Sequence, residues 1–148
     1  MILTIEIGNS TITLGGVEGD QIRFECRINT DRVKTSDTYC IDLKTLFEIY
    51  GIDLNHIEGV IISSVVPQVL NSVRTAIRKL LNIEPMVVGP GLKTGLDIRL
   101  ENPAQMGAGL VAADVAALAE YRPPLICRVP NFSLIARRFL TNAVSSFT

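Results

Sequence analysis

An excess of either charge is nearly absent from this chain: 14 basic residues stand against 15 acidic ones, for a formal net charge of −1. No global field favours nucleic acid or an anionic membrane, so any partner has to be recognised at a local site. Cysteine is scarce and odd in number. Cys26, Cys40 and Cys127 lie far apart, which suits a reducing compartment better than a disulfide framework and leaves no metal-ligand spacing. The one histidine, His56, has no cysteine or carboxylate at ligand spacing and precedes a strand, so a surface position is expected. No apolar run reaches membrane-spanning length, and Met-Ile-Leu-Thr-Ile at the start lacks a basic flank and meets Glu6 too soon for a signal peptide. The expected location is the cytoplasm. Ser63-Ser64 closes an apolar run without a nucleophile-elbow pattern, which argues against hydrolase chemistry.

What is present in quantity is apolar. Of the 148 residues 47% are hydrophobic, and the mean hydropathy is +0.33, enough for one domain with a substantial core and incompatible with general disorder. Charge is unevenly spread. Residues 122 to 148 contain Arg122, Arg128, Arg137 and Arg138 and no acid, so the chain changes character near its end.

The most informative stretch is Ile2 to Gly15. A β-branched run ends in a carboxylate, Gly8-Asn9-Ser10-Thr11 makes a tight polar turn, and Ile12 to Gly15 starts a second strand. Gly8 lacks a Cβ and lets the backbone turn sharply and approach a phosphate, while Asn9, Ser10 and Thr11 supply short hydrogen-bonding groups. Glu6 is placed to hold Mg²⁺ through water. An ordinary hairpin turn has the same composition for conformational reasons alone.

Residues 2 to 8, 11 to 18 and about 21 to 29 are expected as three antiparallel strands, with turns at Gly8-Asn9-Ser10 and Glu18-Gly19-Asp20. Thr35-Ser36-Asp37 starts a helix over 36 to 50, with Tyr39, Leu43, Leu46, Phe47 and Tyr50 at helical spacing and Gly51 as its stop. Residues 59 to 66 are apolar on both faces, like a strand covered by helices. Pro67 suits the first turn of a helix whose apolar face is Leu70, Val73, Ile77, Leu80 and Leu81, with Arg74, Arg78 and Lys79 toward water. A short strand over 85 to 88 and an Ala-rich helix over 104 to 120 complete the pattern. A three-strand meander followed by helix, strand, helix, strand and helix is the α/β order of a ribonuclease H-like unit, the building block of the actin-like ATPase architecture. A flavodoxin-like sheet would alternate strand and helix from the start, which the two hairpins oppose.

Five separated motifs occur in one order: Ile5-Glu-Ile-Gly-Asn-Ser10, Asn29-Thr-Asp-Arg-Val-Lys-Thr35, Gly59-Val-Ile-Ile-Ser-Ser-Val-Val-Pro67, Val87-Val-Gly-Pro-Gly-Leu-Lys-Thr-Gly95, and Asn102-Pro103 before Gly107-Ala108. On these the chain resembles the type III pantothenate kinases, over residues 1 to about 121. The resemblance implies transfer of the γ-phosphate of ATP to the primary hydroxyl of pantothenate, the first step toward coenzyme A, in a homodimer of actin-like domains using Mg²⁺ and a monovalent cation, K⁺ or NH₄⁺. Nucleic acid and membrane are not expected partners.

Residue by residue, the resemblance assigns Glu6, Ile7, Gly8, Asn9, Ser10, Thr11, Ile12 and Thr13 to ATP. Glu6 replaces the family aspartate and sets the charge one methylene further out; Ser10 replaces a threonine and keeps the hydroxyl. The pantothenate side falls on Leu100, Gly107, Ala108, Gly109 and Leu110. Leu100 stands for a tyrosine that packs on substrate, Leu110 for an arginine that holds its carboxylate, and Gly109 for the aspartate proposed as catalytic base. Asp114 is no replacement, because five residues along a helix rotate a side chain by about 500°, roughly 140° off the original face.

Pro124-Leu-Ile126 matches the lead into the family's second phosphate motif, yet Cys127-Arg-Val-Pro-Asn-Phe-Ser-Leu134 follows it, and Val129 stands about where the cation-site aspartate belongs. The expected organisation is an N-terminal actin-like domain over 1–121 and, over 122–148, the first strand of a truncated second domain followed by non-matching sequence. A shifted reading frame and genuine divergence both explain that tail. Arginines and phenylalanines there suggest RNA stacking only weakly, since no recognition module surrounds them. With the base, the second phosphate motif and the closing domain missing, this chain itself is expected to be inactive as a kinase. The alternative is a non-catalytic interaction protein that retains the fold.

Overall fold

The computed structural model describes residues 1–19 and 21–89. Three strands come first: β1 (Ile2–Ile7), β2 (Thr11–Glu18) and β3 (Gln21–Asn29). Helix α1 (Ser36–Ile49), a 3-10 turn (Leu54–His56), β4 (Gly59–Ser64), α2 (Pro67–Leu81) and the two-residue β5 (Met86–Val87) follow. The sheet runs β3-β2-β1-β4-β5, antiparallel across the two hairpins and parallel from β1 through β4 to β5. This mixed sheet with its meander first is the arrangement of an actin-like ATPase N-terminal domain, as the element order predicts. The helix over 104 to 120, and everything expected of residues 122–148, lie outside the described residues.

Alternation along β1 sorts the sheet into two faces. Leu3, Ile5 and Ile7 share one face with their partners Ile12, Leu14, Val60 and Ile62, and these join Tyr39, Leu43 and Phe47 of α1 and Val69, Val73, Ala76 and Ile77 of α2 in one buried cluster. Each fully buried Leu, Ile or Phe here contributes about 1.5–3 kcal/mol. The Thr35 hydroxyl caps α1 by accepting from the Thr38 amide at 3.3 Å, and Gly51 ends it at a φ of 63° that a side chain would strain.

Two expectations change. The fully buried stripe of α2 is Val69, Val73, Ala76 and Ile77, whereas Leu70, Leu80 and Leu81 are only partly covered, because the helix lies against α1 and β4 along the row that starts one residue earlier. The β4 strand stops at Ser64 rather than 66: the Ser64 hydroxyl accepts from the Val66 amide at 3.0 Å, which turns the chain and leaves Val65 half exposed. Pro67 occupies the first turn of α2 as expected. Arg74 and Arg78 pair with Glu84, and Lys79 reaches Asp37 of α1 at 2.7 Å.

Candidate functional site

The Gly8–Thr11 turn sits at the carboxyl ends of the parallel strands β1 and β4, the edge where open α/β sheets bind ligands. The Gly8 amide donates to the Thr11 carbonyl at 2.9 Å, and a Cβ on Gly8 would come within 3.1 Å of that oxygen, so a glycine is what closes the turn this tightly. Asn9, Ser10 and Thr11 are exposed. Among the described residues the Asn9 and Ser10 amides have no acceptor, which leaves two adjacent N–H groups beside two hydroxyls. Ile7 and Ile12, by contrast, have fully buried side chains and can offer a ligand only their backbone.

Two further segments converge on this turn. Thr30, just beyond β3, donates its amide to the Ser10 carbonyl at 2.9 Å and its hydroxyl to the Gly8 carbonyl at 2.8 Å. Behind it, the buried Tyr39 hydroxyl donates to the Asp31 carbonyl at 2.7 Å and accepts from the Asp31 amide at 3.0 Å, while the Asp31 carboxylate accepts from the Val33 amide at 2.9 Å. Arg32 is thereby carried to the turn, where its Nη2 donates to Asn9 Oδ1 at 3.4 Å. On the other side the Val65 amide donates to the Ile7 carbonyl at 3.0 Å, bringing the start of α2 next to the end of β1. Val66 gives that helix no side-chain cap, so its positive end stays electrostatically open there.

Glu6 lies on the sheet face opposite the helices. Register places Ser63, Glu6, Thr13 and Arg27 in one transverse row on this face, from β4 across β1 and β2 to β3. Burial pushes the Glu6 carboxyl above its ordinary value, and the Arg27 guanidinium offsets part of that rise. One row behind, the buried Thr4 hydroxyl donates to the Gly15 carbonyl at 3.1 Å. No group of three or more His, Cys, Asp or Glu among the described residues can cage a metal. A lone carboxylate does suit Mg²⁺ that arrives with phosphate and water ligands, since that ion needs only one or two protein carboxylates.

The structure thus brings Glu6, Gly8, Asn9, Ser10, Thr11 and Thr13 to one end of the sheet. Leu100, Gly107, Ala108, Gly109, Leu110 and Val129 lie outside the described residues. Sequence reasoning missed Thr30, Arg32 and Tyr39 around the turn, and Arg27 in the row of Glu6. The Thr-Asp-Arg run within Asn29–Thr35 was the available signal for the first two, and strand register for Arg27. His56 is exposed as expected, though Asp53 lies 3.4 Å from its Nδ1.

A hydroxyl-bearing glycine turn at the carboxyl edge of a meander-first mixed sheet defines the N-terminal domain class of the actin-like ATPases. The family model for type III pantothenate kinase matches residues 2–128. The chain is 46% identical over 126 residues to the type III pantothenate kinase of Exiguobacterium sp. (strain ATCC BAA-1283 / AT1b), 41% to that of Geobacillus thermodenitrificans (strain NG80-2) and 40% to that of Geobacillus sp. (strain WCH70). Each match covers 85% of this chain and 49–50% of the relative. The chain belongs to the type III pantothenate kinase family, and it spans about half the length of these relatives.

Proposed function

We propose that the Gly8–Thr11 turn binds the phosphates of ATP, within what is by descent the nucleotide-side unit of a pantothenate kinase. The observation that carries this is the pair of free amides at Asn9 and Ser10, flanked by exposed hydroxyls, at the carboxyl edge of β1 and β4. Phosphoryl transfer depends on positioning and on neutralising charge, so a rigid cradle of donors is the part such a unit has to supply. Mg²⁺ bound with the nucleotide supplies charge neutralisation at the phosphate oxygens. Glu6 is the residue that would hold it, through water, its side chain one methylene longer than the family's aspartate.

The same proposal places pantothenate against Leu100, Gly107, Ala108, Gly109 and Leu110, with an N-terminal domain over 1–121 and the sequence over 122–148 opening a second one. Gly109 carries no group to take the proton of the attacking hydroxyl, and Val129 no carboxylate for K⁺ or NH₄⁺. Nucleotide binding without phosphopantothenate formation is the expected behaviour, in the cytoplasm and as a homodimer. Calorimetric titration of the full chain with ATP in the presence and absence of Mg²⁺ tests the binding. Lack of any ATP binding overturns the proposal, and ATP-dependent phosphopantothenate above a no-protein control overturns the inactivity.

A further inference from the structure

Every lysine and arginine among the described residues makes an ion pair except Arg32. Arg23 pairs with Glu18, Arg27 with Glu25, Lys34 with Asp42, Lys44 with Glu48, Lys79 with Asp37, and Arg74 and Arg78 with Glu84. Arg32 has instead one long bond, 3.4 Å, to the neutral amide oxygen of Asn9. That contact is near the outer limit of a hydrogen bond and is readily exchanged for a better acceptor.

The segment that carries Arg32 is anything but loose. Thr30 ties it to Gly8 and Ser10, Tyr39 grips Asp31 through both backbone groups, and the Asp31 carboxylate closes a turn onto the Val33 amide. A fixed backbone with an uncompensated, exposed guanidinium beside two free amides is the arrangement for binding an anion larger than a single charge. The fork geometry of arginine suits two oxygens of one phosphate.

We propose that Arg32 leaves Asn9 and binds the terminal phosphate oxygens of a nucleoside triphosphate held by the Gly8–Thr11 turn, so that this side chain discriminates tri- from monophosphate. The contact rests on the nucleotide assignment made above. It makes Arg32 a phosphate-binding residue supplied by the segment after β3, separate from the turn itself.

The test titrates the wild-type chain, Arg32→Gln, Arg32→Lys and, as a control in the last turn of α2, Arg78→Gln with ATP, AMP and inorganic tripolyphosphate by calorimetry. Losing one charge-assisted contact predicts about 10- to 100-fold weaker binding of ATP and tripolyphosphate by Arg32→Gln, with AMP binding and melting temperature unchanged. Arg32→Lys recovers part of the loss and Arg78→Gln shows none. If Arg32→Gln binds ATP as tightly as wild type, or loses ATP and AMP equally, the Arg32 contact is overturned while the turn stands. If wild type binds neither ATP nor tripolyphosphate, both assignments fall.

Discussion

Thr30 and Gly8, 22 residues apart, are joined by a 2.8 Å hydrogen bond from the threonine hydroxyl to the glycine carbonyl, while the Thr30 amide holds Ser10. One residue after β3 therefore clamps both sides of the candidate phosphate turn. Thr30→Val keeps the shape and removes the donor, so it should cost about 1 kcal/mol of stability and weaken ATP binding. Thr30→Ser should restore both. Urea unfolding paired with calorimetric titration measures the two effects, and a valine variant with wild-type affinity would show that the clamp is irrelevant to the ligand.

Glu6 should trade stability for function. Its carboxyl is raised above the ordinary 4.5 by burial, Arg27 offsetting in part, so the folded state favours the protonated form. A raised acid penalises folding once it ionises: the penalty is absent below pH 4.5, grows as pH rises from there through the native value, and stays constant above it. Glu6→Gln should accordingly melt at higher temperature than wild type at pH 7 and at no higher temperature at pH 3, while ATP binding loses its Mg²⁺ dependence. Thermal scans across that range decide it; equal melting temperatures at pH 7 would contradict the assignment.

Tyr39 links the core to the Arg32 segment through its hydroxyl. Tyr39→Phe keeps the fully buried ring and strands the amide and carbonyl of Asp31, which predicts a loss of about 1–3 kcal/mol. Faster hydrogen exchange should appear at the Asp31 and Val33 amides, with β1 amides unaffected. Exchange rates resolved by residue are the measurement.

Gly16 faces the ring of Phe24, and a Cβ there would lie 2.2 Å from a ring carbon and 2.8 Å from the Met1 sulfur. Gly16→Ala should destabilise by about 1–3 kcal/mol through overpacking. The ring cannot retreat freely, since it meets Phe47 edge-on at a centroid separation of 6.4 Å. Adding Phe24→Leu should recover part of the loss, which a double-mutant cycle in urea would reveal as coupling.

Local pattern carried the elements further than it carried the site. The strands, the Thr35 cap, the Gly51 stop and Pro67 at the start of α2 were legible because each depends on neighbours within a few residues. The buried stripe of α2 was not. Leu70, Leu80 and Leu81 outrank Ala76 in hydrophobicity, and only the approach of α1 and β4 puts Ala76 fully inside. The candidate site was legible in its turn, where Gly8-Asn9-Ser10-Thr11 is contiguous, and only indirectly at Thr30, Tyr39 and Arg27, which reach it from other elements.

By itself the sequence determined the family, through motifs in one order, and the sheet's composition, through alternation and turn chemistry. It also raised the expectation, from the resemblance, that the family's chemistry changes type at Glu6, Gly109 and Val129. Only the tertiary structure decided that Arg32 alone among the described cations lacks an acid, and that Glu6 shares its row with Arg27. The reason is physical. Hairpins and caps are settled by bonds between near neighbours, whereas ion pairing and desolvation are settled by which distant strands and helices the shared apolar face brings together.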